Sequence, residues 1–251
     1  MSGEGKGRNL LLTLRFAGTN YSGFQVQHNA PSVCAAFQDA LEKVLSKRED
    51  VKGCSRTDSG VHANKYCLSL RTHNPIAAHR LVDALNARLP EDIAVTHARE
   101  APDDFHARYS ATGKEYVYRL LNSRIKDPLA PHLSYRAGYH IDERLLHNEA
   151  QAFLGRHDFS AFMAKGSDIK DTARTIIHFA VHREGDYVIF TVRGDGFLYK
   201  QVRIMVGTLL AIAGGKLPPG NISDIIKSRD RARAGKTAPA RGLYLNDVFY
   251  D

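Results

Sequence analysis

Arg56-Thr57-Asp58-Ser59-Gly60-Val61-His62-Ala63 sets one carboxylate at the centre of a polar turn. Ser59-Gly60 marks the turn, because glycine reaches backbone angles that cost other residues energy. The turn feeds an alternating segment, Tyr66-Cys67-Leu68-Ser69-Leu70. An Asp fixed in this way beside Arg56 is suited to act as a nucleophile or an acid/base group. The same residue could instead cap its own turn through the backbone, as Asx turns do. Local chemistry leaves both readings open.

Five other stretches could carry chemistry. Gly18 to Gln27 combines two glycines with amides, Gln25 among them, and aromatics expected to be exposed; such loops contact RNA bases and backbone, and ordinary hairpin loops look alike. Lys114, Tyr116, Tyr118 and Leu120 share one face of a strand by alternation, which suits core tyrosines whose hydroxyls reach the rim. Arg203 lies about 100° round a helix from Val202, placed either for solvent or for a cleft. Lys227, Arg229, Arg231, Arg233 and Lys236 form a basic stretch interrupted by Asp230, either a solvated face or a set of phosphate contacts. His157-Asp158 sits in an expected polar and aromatic loop, where neighbours rarely face each other and a structural hydrogen bond is the expectation.

Strands and helices must position these groups. Leu10, Leu12, Leu14 and Phe16 alternate as a strand, and Ser32 caps a helix carrying Val33, Phe37, Leu41 and Leu45. A second helix through Leu81 and Leu85 stops at Pro90, and a strand through Ile93 and Val95 reaches the polar junction Glu100 to Asp104. A domain boundary is expected there, dividing a flexible N-terminus 1–8, an N-terminal unit 9–104 and a C-terminal unit 105–251. In the latter, a helix starts near Asp142, strands carry Ile177, Phe179 and Val181 and then Val188, Phe190 and Val192, and Leu198, Val202, Met205, Leu209 and Ile212 form a buried helical face. Asn221 caps a short helix, and a final strand ends the chain.

Composition narrows the class. Over 251 residues, 43% are apolar and 25% charged, as in a soluble globular protein. No run approaches a membrane span, and the polar N-terminus lacks a signal-peptide core, so a cytoplasmic location is expected. The three cysteines show no Cys-x-x-Cys pair, and the twelve histidines form no metal motif. A net charge of +8 suits a polyanionic partner.

Arg-Thr-Asp-Ser-Gly-Val-His-Ala resembles the catalytic loop of the tRNA pseudouridine synthase A family, with Ser55 and Ser59 where Gly and Ala are usual. Phe105-His106-Ala107-Arg108 followed by Lys114-Glu115-Tyr116-Val117-Tyr118 resembles its second motif. Asp195 to Gly207 and Ala238 to Leu245 resemble its third and fourth. The resemblance implies an α+β fold: two ferredoxin-like α/β subdomains with antiparallel sheets joined around a central basic cleft. It implies Asp58 as the nucleophile, Arg203 as its charge partner and Tyr116 against the target base. Leu243 would pack beside that base, Arg56 would help hold the nucleotide open, and Gln25 with Lys227, Arg229, Arg231 and Arg233 would bind RNA. The expected reaction turns uridine into pseudouridine at positions 38 to 40 of the tRNA anticodon stem-loop, in a homodimer and without metal or other cofactor. The alternatives are the same chemistry at different uridines, a non-catalytic RNA-binding protein, and a hydrolase, which would want a second carboxylate or a His partner.

Overall fold

The computed structural model describes residues 7–167 and 169–251. The chain divides into two compact units, the first running up to Thr112 and taking in Leu245–Asp251, the second Gly113–Tyr244. The boundary expected at residue 104 therefore falls inside the first unit. There, Phe105 N–H donates to Pro102 O at 3.0 Å, closing a turn rather than opening a linker.

In the first unit the order is β1 (Arg8–Phe16), α1 (Val33–Leu45), β2 (Val51–Gly53), β3 (His62–Thr72), α2 (Ala78–Asn86) and β4 (Ile93–Ala101). β4, β1 and β3 lie side by side, β2 pairs with β3, and all pairs are antiparallel. This β-α-β-β-α-β order, with β3 between β1 and β2, is the ferredoxin-like arrangement. Leu12 faces Leu68 on one side and Ala98 on the other, which fixes the register of the central strand. Ser32 caps α1 as expected, its Oγ accepting from Ala35 N–H at 3.2 Å. Of the segment 1–8, residues 1–6 lie outside the described residues, whereas Arg8 already belongs to β1, opposite Thr72.

β5 (Ala111–Asn122) leads into the second unit, followed by β6 (Tyr135–Ala137), α3 (Glu143–Ala150), β7 (Gly155–Asp158), β8 (Ala173–Glu184), β9 (Tyr187–Gly194), α4 (Gln201–Ala213) and α5 (Ile222–Ser228), and β10 (Leu243–Tyr250) then returns the chain to the first unit. The strand order is β5-β9-β8-β7, again antiparallel, with β6 parallel to β5. β5, α3, β8, β9 and α4 follow one another as the corresponding elements do in the first unit, and β9 lies between β5 and β8.

Three local expectations differ. Ile177 is 57% exposed and Ile176 is buried in its place, because the register shifts between Ile176 and His178 and reverses the alternation. Asn221 precedes α5 with helical angles and makes no side-chain cap. His157-Asp158 ends a strand instead of lying in a loop, with His157 opposite Arg174. Its structural role is as expected: a His157 ring nitrogen lies 2.7 Å from Leu154 O, while Asp158 accepts from the Thr172 hydroxyl and Ser160 N–H.

Candidate active site

Asp58 stands in the turn that leads into β3, and the segment after β1 braces that turn. Gly60 takes the left-handed φ of 77° that the sequence implied, and its N–H donates to Tyr21 O at 3.1 Å. Val61 N–H donates to Asp58 O at 3.2 Å, closing the turn. His62, fully buried, accepts at Nδ1 from Gly18 N–H at 3.0 Å. Gly23 has φ +92°, and a Cβ there would stand 2.2 Å from Thr57 O. The bracing loop is itself anchored, since Tyr21 Oη donates to Asp92 at 2.6 Å and Asn20 Nδ2 to the same carboxylate at 3.0 Å. Burial and that carboxylate raise the Tyr21 hydroxyl well above its ordinary value.

These contacts correct one expectation about Gly18 to Gln27. Its aromatics point inward: Tyr21 and Phe24 are buried, and Phe24 stacks on Tyr66 at 4.1 Å between ring centroids. Gln25 stays exposed, as an RNA contact requires. Tyr66, fully buried, donates its hydroxyl to Ser55 O at 2.5 Å and so fixes the entry to the turn where the family usually has Gly. Arg56 is exposed and shares with Gln25 the wall of an open cavity. Burial pushes the thiol of Cys34, also on that wall, up to about 11, so it stays protonated and is no nucleophile near neutral pH.

The second unit assembles the other motifs around β5. Tyr116 and Tyr118 are both buried, on the face the alternation implied. Tyr116 meets Phe197 edge-on, with centroids 5.2 Å apart. Tyr118 donates its hydroxyl to Pro239 O at 2.9 Å. Burial raises that hydroxyl far above its usual range, against the lowering pull of Arg203 and Arg241. Arg203 is half-buried on α4, and its Nε donates to Ala238 O at 2.8 Å, while Ala238 N–H returns a bond to Arg203 O at 2.9 Å. The third and fourth motifs are thus clasped together. Leu243, buried, opens β10 directly after this clasp.

The basic stretch is less uniform than its composition. Lys227 and Arg233 are exposed, but Arg229 Nε pairs with Asp158 at 3.1 Å. Arg231 turns back to Ala234 O at 3.3 Å and Thr237 Oγ1 at 3.4 Å, and partial burial lowers its pKa. Sequence reading passed over Gly18, Gly23, His62 and Asp92 as positioning residues. The paired glycines were the visible signal, whereas the Asp92 anchor depends on a contact that spacing does not reveal.

A family model described as tRNA pseudouridine synthase matches residues 13–110 and 150–251. The chain is 44% identical over 243 residues to a protein of Acetivibrio thermocellus named tRNA pseudouridine synthase A, covering 97% of this chain and 100% of that protein. Over the same shares it is 40% identical to a protein of that name from Clostridium acetobutylicum.

Proposed function

The chain belongs to the tRNA pseudouridine synthase family, and from that premise we propose that it isomerises uridine to pseudouridine in the anticodon stem-loop of tRNA, at positions 38 to 40, with Asp58 as nucleophile. The reaction breaks the bond between uracil N1 and the ribose, turns the base, and rejoins it through C5. The proton on C5 leaves and N1 ends protonated, so substrate and product are isomers and no co-reactant is consumed.

The observation that carries this reading is the braced turn. Asp58 sits where two bonds to Tyr21 O and Asp58 O, together with the close approach of Gly23, limit its movement. A nucleophile gains most from being held in place before the substrate arrives. Tyr116 is assigned the ring against the target base, Leu243 its apolar neighbour, Arg203 the positive charge of the site, and Arg56 the support of the opened nucleotide. A uridine within a stem must first leave the stack, which costs a few kcal/mol. Gln25 and the exposed cations Lys227 and Arg233 supply backbone grip in this reading, with Arg229 and Arg231 joining if they exchange their present partners. No helix is long and apolar enough to cross a membrane among the described residues. Action as a cytoplasmic homodimer belongs to the same proposal, and light scattering would show about twice the 27.9 kDa chain mass.

Asp58→Asn tests the assignment. It keeps the side-chain shape, so tRNA binding and melting temperature should hold while pseudouridine formation in a tRNA transcript disappears. A variant that still turns over would remove Asp58 from the chemistry.

A further inference from the structure

The cavity of about 380 Å³ on the first unit is lined by Gln25, Lys52, Arg56, His106, Arg108 and Tyr109, among others. Its volume falls within the range of sites that enclose one small ligand. Its mouth carries a large apolar ring, since Tyr109 is 77% exposed. The Arg108 guanidinium lies over that ring at 5.7 Å, and the His106 ring is 4.4 Å away.

This platform is built rather than loose. His106 N–H donates to Ser110 Oγ at 3.0 Å, and Arg108 N–H donates to His106 Nδ1 at 3.1 Å. Ala107 between them is tied twice: its N–H donates to Ser69 Oγ of β3 at 3.3 Å, and its carbonyl accepts from Tyr250 Oη at 2.8 Å. Charge on the cavity wall is mostly positive, with Lys52, Arg56 and Arg108 against Asp50, which pairs with Lys52.

An aromatic face offers every base a stacking surface, guanidinium groups hold phosphate, and the Gln25 amide can both donate to and accept from a base edge. Arg56 is two residues from Asp58, a backbone span of about 7 Å at most. We infer that the cavity receives a second nucleotide of the RNA strand, a neighbour of the reacting uridine, with its base on Tyr109 and its phosphate among Arg56, Arg108 and Lys52. The inference rests on the function proposed above, and it adds a subsite that grips the strand beside the reacting residue.

The test compares wild type, Tyr109→Ala, Tyr109→Phe and Arg108→Gln for the Kd of an unmodified tRNA transcript across a salt series. Tyr109 is exposed, so melting temperatures should stay close to wild type. Loss of one stacked base predicts that Tyr109→Ala binds about 5- to 150-fold more weakly with an unchanged salt slope, while Tyr109→Phe stays within about twofold of wild type. Arg108→Gln should lower the salt slope by about one. Wild-type affinity in Tyr109→Ala, or an equal loss in Tyr109→Phe, overturns the inference. Because Kd is read without turnover, a chain that formed no pseudouridine would refute the proposed function while the Tyr109 comparison still decided this one.

Discussion

Gly23→Ala should damage catalysis far more than stability alone explains, and Gly166→Ala separates the two effects. Both glycines hold nearly the same left-handed angle, φ +92° at Gly23 and +91° at Gly166. A side chain there costs about 1–2 kcal/mol at either position. For a chain of this length that is roughly a 2–8 °C fall in melting temperature. The surroundings differ. A Cβ on Gly166 meets nothing within 4 Å, whereas on Gly23 it stands 2.2 Å from Thr57 O, a separation that must open to at least 3.0 Å. The Thr57 peptide therefore moves by about 0.8 Å, and Asp58 follows it directly. A displacement near 1 Å of a reacting group costs about 10²-fold in rate. The assay is tritium release from tRNA labelled at uridine C5, with melting followed by circular dichroism. Gly166→Ala should lose stability and keep kcat, and Gly23→Ala should lose about 10²-fold in kcat. Equal kcat in the two variants would refute the claim that this contact places the nucleophile.

Tyr118→Phe removes the hydroxyl that holds Pro239 O and should destabilise the chain by about 1–3 kcal/mol, read as a lower melting temperature. Unchanged melting would show that the hydroxyl does not hold the fourth motif in place. Acid stability should depend on Asp158. Burial alone would raise its carboxyl, but bonds from Thr172 and Ser160 and the Arg229 charge hold it below its ordinary value. A depressed folded pKa stabilises above the unfolded value of about 3.9, and that contribution is lost as pH falls through the folded value. Melting temperature should therefore fall more steeply below about pH 4 in wild type than in Asp158→Asn, and parallel curves would contradict the ion pair.

Much of this molecule is legible in the chain itself. Alternation placed β1, β3 and β5, and a Ser at the right position started α1, because strand period and helix capping are local properties of neighbouring residues. The length of the Arg56 to Ala63 motif was enough to suggest the family and the candidate nucleophile, since each residue of a tight functional turn is constrained. Tyr116 and Tyr118 were assigned to one face for the same local reason, and both are buried. What tertiary structure decided depends on contacts distant in sequence. Ile177 turned outward because a partner strand imposed a bulge. Tyr21 and Phe24 turned inward because Asp92 and Tyr66 were there to receive them. Arg229, just past the end of α5, reads as a free phosphate ligand until Asp158 of β7 takes its charge. The cavity beside Arg56 is walled in part by the turn holding His106 to Tyr109, which is fastened to β3 through Ser69 and to β10 through Tyr250. Composition records how many charges and rings a chain carries, and folding chooses which of them remain available to a ligand.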